Sequence, residues 1–221
     1  MSERRRLIDL SHPIRDGMVT YPGLPGPEIT DHLSREASEA NYGTGTTFHI
    51  GRISMVANTG TYLDSPFHRF ADGDDLSQLA LASLADLEGL CGRVRGGRAV
   101  TPAHLEPYDV AGKALLIDTG WDRHWETAAY AVDAPFVTKA ATQWLVQAGV
   151  ALVGIDSVNI DDMADRSRPA HTGLLGAGIP IVEHMCGLDG LPDSGFRFHA
   201  APPGVERFGT FPVRAYAVVT G

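Results

Sequence analysis

The densest group of chemically capable side chains lies between residues 58 and 68, in the sequence NTGTYLDSPFH. Asp64 and His68 stand four residues apart, with Pro66 between them. Because proline interrupts a helix, this segment is predicted to be a loop that leaves a strand. A carboxylate and an imidazole held close together suit either a divalent metal ion or an acid–base pair. The simpler alternative is a solvated or mutually hydrogen-bonded pair without a catalytic role.

His171 and Glu183 form a second group, in which Glu183 directly follows the apolar run 179–182. The alternation of a strand predicts that Glu183 points inward. A buried carboxylate needs a cation or hydrogen-bond donors, because an unpaired buried charge is costly. An ion pair with an arginine is the alternative to a metal ion.

The elements that would position these groups are clearest in the middle of the chain. Residues 114–118 (ALLID) and 150–156 (VALVGID) are predicted to be buried strands. Between them, Thr138 is a candidate N-cap for a helix over 139–148, and Gly149 is its predicted stop. A helix that leads into an apolar strand is typical of an α/β layer.

Weaker patterns predict the remaining elements. Residues 49–57 alternate as in a half-buried strand, and residues 179–182 and 215–219 also favour strands. Residues 7–27 begin as a short strand and continue as an ordered Pro/Gly-rich loop over the surface or over a partner subunit. Three aspartates near a strand end are interpreted as caps of the junction with the following loop: Asp156, Asp161 and Asp162.

Composition excludes several classes of protein. The 221 residues carry 18 basic against 27 acidic side chains, a net charge of −9, which disfavours binding to nucleic acid. No apolar run is long enough to span a membrane, and the charged start MSERRR is unlike a signal peptide. Cys91 and Cys186 indicate reduced thiols and hence a cytoplasmic location. No shift in composition divides the chain, so a single domain over residues 1–221 is predicted.

Over residues 58–68 the chain resembles the cyclase family of metal-dependent hydrolases, which includes bacterial kynurenine formamidase and isatin hydrolase. The signature of that family is H-x-G-T-H-x-D-x-P-x-H. The resemblance implies a single-domain α/β fold of the swivelling β/β/α type, assembled as a homodimer or homotetramer with active sites near subunit contacts. It extends in order to four further segments: Asp9 to Gly23, Thr119 to Trp121, Gly154 to Ser157 and Pro212 to Ala215.

The resemblance also implies a set of metal ligands. Asp64, His68, His171 and Glu183 match metal-site positions of the family. Family members of the formamidase type use two ions, commonly zinc or manganese, which share the Asp and the Glu. In this chain we expect one divalent ion, zinc or manganese, on the four matching residues, or none.

The expectation of one ion or none rests on two departures from the signature. Asn58 and Tyr62 stand where the signature has its first and second histidines. An amide oxygen binds zinc weakly, and a phenol with an ordinary pKa of about 10 must first lose its proton. The first metal site is therefore predicted to be absent or weakened. Instead, both residues are candidates for substrate binding, with Tyr62 also a candidate catalytic donor to a carbonyl oxyanion.

These residues predict a metal-dependent hydrolase of a small amide, formamide, cyclic amide or lactone. A divalent ion would activate water and polarise the carbonyl, and His68 and Glu183 are the candidate catalytic proton carriers. The alternative is a repurposed member of the family, either a metal-free enzyme or a small-molecule-binding protein. The losses at Asn58 and Tyr62 motivate that alternative.

Aromatic and histidine side chains outside these groups have no assigned role. Four aromatic residues are interpreted either as walls of an aromatic substrate pocket or as ordinary core: Phe48, Phe67, Trp121 and Trp125. His49 lies too far before the signature to belong to it. The other histidines have no function that their spacing indicates: His12, His32, His104, His124, His184 and His199.

Overall fold

The computed structural model describes residues 5–220. Its strands are β1 Arg5–Asp9, β2 Glu28–Leu33, β3 Ile50–Ser54, β4 Tyr62–Asp64, β5 Leu87–Arg93, β6 Ala99–Val100, β7 Ala114–Asp118, β8 Phe136–Val137, β9 Leu152–Ile155, β10 Ile181–Glu183, β11 Phe196–His199, β12 Thr210–Pro212 and β13 Tyr216–Thr220. The α-helices are α1 Arg35–Ser38, α2 Pro102–Leu105, α3 Lys139–Ala148 and α4 Pro169–Gly176. Short 3₁₀ turns cover Glu39–Asn41, Pro66–His68, Leu81–Ser83, Trp121–His124, Ala128–Ala131 and Leu188–Gly190.

One mixed sheet organises the molecule, in the order β1-β13-β11-β5-β7-β9-β10-β4-β12. Its centre, from β5 through β7 and β9 to β10, is parallel, whereas the strands on both sides run antiparallel to their neighbours. Parallel strands need crossover connections, and α3 supplies the one between β7 and β9. This mixed α/β architecture confirms the predicted fold class.

Apolar side chains cover both faces of the sheet. In β7 all five residues are buried. Leu115 and Ile117 pack into the cluster that includes Leu145 of α3 and Leu174 of α4, whereas Leu116 faces the cluster on the opposite side. A strand that is buried on both faces is continuously apolar, as the sequence pattern predicted.

The crossover helix begins and ends where the sequence predicts. The Thr138 side chain accepts a hydrogen bond from the Ala141 backbone N–H at 3.2 Å, which satisfies one of the free donors of the first turn. Gly149 closes α3 in the left-handed conformation, with φ of 72°. Within residues 5–220, no helix is both long and apolar enough to cross a bilayer.

The prediction that residues 58–68 form a loop is partly wrong. Tyr62–Asp64 form strand β4, which pairs with β10 on one side and β12 on the other. The chain leaves the sheet only at Ser65, and Pro66 begins a 3₁₀ turn that ends at His68. Pairing on both sides outweighs the turn-forming composition of the segment, a case of tertiary context overriding local propensity.

The predicted half-burial of residues 49–57 holds for residues 55–57 and is wrong for residues 49–54. Ile50–Ser54 do form strand β3, but every residue of that strand is exposed. The strand pairs with β2 in a separate two-stranded sheet, so neither of its faces is covered by the main sheet. Ile29, Ile50 and Ile53 are 44–47% exposed on this hairpin.

Candidate metal centre

Three neighbouring strands bring the polar residues of the centre to one face of the sheet. Tyr62 and Asp64 are two residues apart in β4, so their side chains point to the same face. The strand register places Glu183 opposite Tyr62 and Thr210 opposite Asp64. Residues directly opposite each other have neighbouring side chains on the same face. The register alone therefore assembles two carboxylates, a phenol and a hydroxyl.

His171 enters the same space from α4. Its Nδ1–H donates to Asp161 Oδ2 at 2.7 Å, and the Asp161 carboxylate also accepts the Ala170 backbone N–H at 2.6 Å. Asp161 thus fixes both the start of α4 and the orientation of the imidazole. With the proton on Nδ1, the other nitrogen, Nε2, lies 3.7 Å from Asp64 Oδ2 and 3.7 Å from Glu183 Oε1.

Asp64 is the residue that most requires a cation. Its side chain is fully buried, and Oδ1 accepts a hydrogen bond from the Thr210 hydroxyl. Oδ2 has no hydrogen-bond partner among the described residues, which is costly for a buried carboxylate. It lies 3.7 Å from His171 Nε2, and ligands on bonds of about 2.1 Å around a tetrahedral ion stand roughly 3.4 Å apart. This donor set fits zinc or manganese.

His68 completes the predicted set from the 3₁₀ turn. One potential ligand atom each from Asp64, His68 and His171 lies within 4.8 Å of the others. Because an ionised carboxylate can only accept, the Thr210 hydroxyl donates to Asp64 and accepts from His68 Nδ1–H at 2.8 Å. His68 Nε2 therefore keeps its lone pair, on a side chain that is 34% exposed.

A close backbone approach holds the turn that carries His68. The Gly209 carbonyl accepts the Ser65 backbone N–H at 2.7 Å. A Cβ atom added to Gly209 would overlap the backbone N and Cα of His68. The turn and the start of β12 can pack this tightly only because residue 209 has no side chain.

The buried charges of the centre shift one another's pKa values. Burial raises the pKa of Glu183 to about 7, against the opposing charge of His171. Burial alone would lower the pKa of His171, but the charge of Glu183, together with the bond to Asp161 and the proximity of Asp64, raises it to about 10. In the protein alone, His171 therefore holds a proton between carboxylates, in the place that suits a metal ion.

A chain of hydrogen bonds runs behind Glu183. Tyr62 donates its hydroxyl proton to Glu183 Oε2 at 2.7 Å, so the phenol oxygen must accept from His184 Nε2–H at 3.3 Å. The other nitrogen of His184 then accepts from the Tyr130 hydroxyl at 3.0 Å. Burial raises the pKa of Tyr62 well above its usual value, and the charges of Glu183 and Asp64 add to this. In the protein alone, Tyr62 is therefore a neutral donor to Glu183.

The centre opens into a cavity of about 410 Å³. Its walls include the loop 21–24, the predicted substrate-binding residue Asn58, and Asn159. The four candidate aromatic residues are not among the lining side chains: Phe48, Phe67, Trp121 and Trp125. The two tryptophans pack instead in a small cluster with Tyr130, and Phe48 is 50% exposed. The aromatic side chains of the wall include Tyr62 and Tyr21. Tyr21 lies in a loop for which the sequence predicts only a place on the surface or at a subunit contact.

Three residues of the centre were missed by sequence reasoning. Asp161 was interpreted as a cap, which it is, but it also orients His171. Thr210 joins Asp64 to His68, and no sequence motif marks it. His184 was given no role, although it directly follows Glu183 and is fully buried with a positive φ of 55°. Such a backbone conformation is unusual for a non-glycine residue and often marks a functional region.

Comparison with known proteins identifies the family. The family model described as "Putative cyclase" matches residues 8–162, which is more than half of the chain. The chain belongs to the cyclase family. Among curated members, the kynurenine formamidase of Bacillus cytotoxicus is 27% identical over 215 residues, covering 94% of this chain and 95% of the relative. That of Bacillus cereus is 26% identical with the same coverage.

Solved structures share the cyclase-family fold over nearly the whole chain. A protein described as a potential metal-dependent hydrolase with cyclase activity superposes with a TM-score of 0.79 and 23% identity, covering 99% of this chain and all of the other. Isatin hydrolase A from Ralstonia solanacearum gives a TM-score of 0.82 and 21% identity, with coverages of 97% and 92%. At these identities the likeness establishes the fold.

Proposed function

We propose that this member of the cyclase family is a metal-dependent hydrolase of a non-peptide C–N bond, in a small amide, formamide or cyclic amide, with a lactone as a related substrate. The observation that carries the proposal is the unsatisfied buried oxygen Asp64 Oδ2, which forms a group of potential metal ligands with His68 and His171. His171 Nε2 lies 3.7 Å from Asp64 Oδ2 and 3.7 Å from Glu183 Oε1. Curated relatives are named kynurenine formamidase, and solved neighbours include isatin hydrolases. One divalent ion, zinc or manganese, is the proposed cofactor.

Some residues of the centre would bind the metal ion, and others would transfer protons. Asp64, His171 and Glu183 would hold the ion, with His68 beside them. A divalent ion supplies a Lewis acid that polarises a carbonyl and activates water. His68 is the better proton carrier of the two candidates, because its Nε2 has no hydrogen-bond partner within residues 5–220 and its side chain lines the cavity. Both oxygens of Glu183 already accept hydrogen bonds, from Ile160 N–H and from Tyr62.

His68 can carry the proton that hydrolysis of the C–N bond must move, while Asn58 and Tyr62 act as hydrogen-bond donors. His68 Nε2 takes a proton from water as its oxygen attacks the carbonyl carbon, and returns that proton to the nitrogen as the C–N bond breaks. Asn58 lines the cavity and can donate its amide N–H to the substrate. The Tyr62 proton is directed at Glu183, so Tyr62 acts on the reaction through Glu183 in this arrangement.

Metal analysis and hydrolysis assays test the proposal together. We expect about one zinc or manganese ion per chain, and hydrolysis of formanilide that a chelator abolishes and added metal restores. His68→Ala should retain the ion and lose turnover, whereas Asp64→Asn should lose both. Protein that holds no divalent ion, and that hydrolyses no formamide, lactam or lactone with added zinc or manganese, would contradict the proposal.

The alternative of a repurposed, metal-free protein rests on Asn58 and Tyr62. The double variant Asn58→His, Tyr62→His restores the family signature and separates the two readings. A one-metal hydrolase predicts metal and activity in the natural protein, and a second ion in the double variant. A repurposed protein predicts that both metal and formamidase activity appear only in the double variant.

The exposed hairpin supports assembly of the chain as a homodimer or homotetramer. Ile29, Ile50 and Ile53 expose nearly half of their surface on β2 and β3, and an isolated two-stranded hairpin is marginally stable in water. A second copy that covers this apolar surface accounts for both features. Light scattering should give a dimer or tetramer, and Ile53→Lys should shift it towards monomer. A monomeric natural protein would contradict this assembly.

The proposed location is the cytoplasm. Cys91 and Cys186 are both free thiols in the structure, as expected for a reducing compartment. Burial raises the pKa of each thiol to about 12, so neither is a reactive thiolate at neutral pH. Fractionation of the source cells with detection of the native chain would check the assignment.

A further inference from the structure

Two arginines line the cavity without a carboxylate partner. Arg69 and Arg168 both contribute to its wall, and within residues 5–220 neither has a carboxylate oxygen within 4.0 Å. By contrast, Arg93 and Arg95 both bind the buried carboxylate of Asp118. The two cavity arginines therefore have charge and hydrogen-bond donors available to a ligand.

Few contacts hold the two guanidinium groups in place. Arg69 Nε donates to Thr172 Oγ1 at 3.3 Å, and the guanidinium carbon lies 5.2 Å from the centre of the Phe70 ring. Arg168 Nη1 donates to the Asp162 carbonyl at 3.2 Å. A guanidinium has five N–H donors, so each group is positioned while most of its donors stay free.

The chain connects each arginine to the metal centre. Arg69 directly follows His68, and Arg168 lies three residues before His171, at the start of α4. Arg168 also adopts a positive φ of 50°, which is strained for a residue with a side chain. Strained conformations concentrate at functional sites, where the surrounding structure maintains them.

We propose that Arg69 and Arg168 bind a carboxylate of the substrate, so that the substrate is an acidic amide whose anionic group lies at these arginines while its scissile carbonyl faces His68 and His171. This inference rests on the proposed hydrolase function. The interior of the site contains buried carboxylates, Asp64 and Glu183 among them, which repel an anion. The arginines therefore both attract such a substrate and determine which of its ends enters first.

A carboxylate matches the donors that the two arginines offer. The planar fork of a guanidinium pairs with the two oxygens of a carboxylate. The cavity of about 410 Å³ is within the range of small-molecule sites, so a single substituted ring with one carboxylate is a suitable probe.

Direct binding tests the inference without requiring turnover. Calorimetry on the metal-loaded protein compares 2-aminobenzoate with 2-aminobenzamide, which carry an anionic carboxylate and a neutral carboxamide at the same position of the ring. We expect the acid to bind about 10- to 100-fold more tightly. Arg69→Gln and Arg168→Gln should each reduce this preference, and the double variant should reduce it to within about twofold. Arg166→Gln is the matched control, because Arg166 is exposed, two residues from Arg168, and outside the cavity wall.

Kinetics separate this inference from the proposed function. The Arg168→Gln variant should raise KM for N-formyl-2-aminobenzoate by a larger factor than KM for neutral formanilide, and KM for the acid should change more than kcat. An acid preference that survives in the double variant would place the carboxylate on the metal ion and overturn the inference, as would equal or undetectable binding of both probes to the natural protein. A third outcome is that the double variant loses the preference for the acid while the natural protein hydrolyses no amide. That outcome would refute the proposed function and leave the recognition of acids standing.

Discussion

The Tyr62 hydroxyl donates a hydrogen bond of 2.7 Å to Glu183 Oε2, across two directly paired strands. Tyr62 stands at a position where the family signature has a histidine that serves as a metal ligand. In this chain a neutral hydroxyl donor is found there instead, and it satisfies one oxygen of Glu183. The other oxygen of Glu183 lies 3.7 Å from His171 Nε2. This arrangement supports the proposal of one ion, because the phenol engages the Glu183 oxygen that a second ion would share.

Removing this hydroxyl should cost stability and activity. In Tyr62→Phe, a fully buried carboxylate oxygen loses the one donor that it has within residues 5–220, and we expect the free energy of unfolding to fall by about 1–3 kcal/mol. Urea denaturation at neutral pH measures this, and turnover of formanilide should drop with it. Tyr108→Phe is the control, because its hydroxyl accepts a single backbone hydrogen bond of 3.3 Å away from the centre. Equal midpoints for the two variants would show that Tyr62 serves only as packing.

The orientation of His171 should determine metal affinity. Asp161→Asn weakens the 2.7 Å bond to His171 Nδ1, and loss of such an outer partner typically reduces metal affinity by about 10- to 100-fold. Competition for zinc with a chelating dye measures the dissociation constant. Asp162→Asn is the matched control, since that residue pairs with Arg98 at the surface. If both variants bind zinc as the natural protein does, Asp161 is only a helix cap.

The parts of the fold that local chemistry determines were predictable from the sequence. Thr138 and Gly149 bound α3 as expected, and ALLID is buried on both faces as its composition predicts. Residues 49–57 show the limit of such patterns. Their alternation correctly predicts a strand, but whether a strand is covered depends on which element packs against it, and β3 pairs only with β2.

The centre was predictable as a set of residues, and its geometry was not. Asp64 and Glu183 are brought together by the register of β4 against β10, a pairing between segments more than a hundred residues apart. Thr210 is adjacent to Asp64 only because β12 adds to the other side of β4. Such long-range register leaves no local mark, so the residues that orient the ligands could not be identified from the sequence.

The close contact at Gly209 should be essential for the position of His68. Gly209→Ala places a methyl group against the His68 backbone, and we expect a loss of about 1–3 kcal/mol in unfolding free energy, since the turn must move. Turnover should fall as His68 shifts. Gly204→Ala is the control, because its new Cβ would meet its nearest neighbour, Ser77 Cα, at an ordinary 3.6 Å. Equal thermal unfolding midpoints and turnover in the two variants would contradict this role.

Buried His184 should make the protein sensitive to acid. Burial lowers its pKa to about 3 in the folded state, against about 6.5 in the unfolded chain. Its contribution to stability is therefore complete above pH 6.5 and is lost as the pH falls towards 3, about 2 kcal/mol of it between pH 7 and pH 5.

The variant His184→Asn tests this sensitivity to acid. Asparagine keeps an acceptor for Tyr130 and tolerates the positive φ but does not titrate. Denaturation at both pH values should show the stability gap between natural protein and variant narrowing by that amount, with His32→Asn on the exposed hairpin as control. A gap independent of pH would mean that His184 does not resist protonation in the fold.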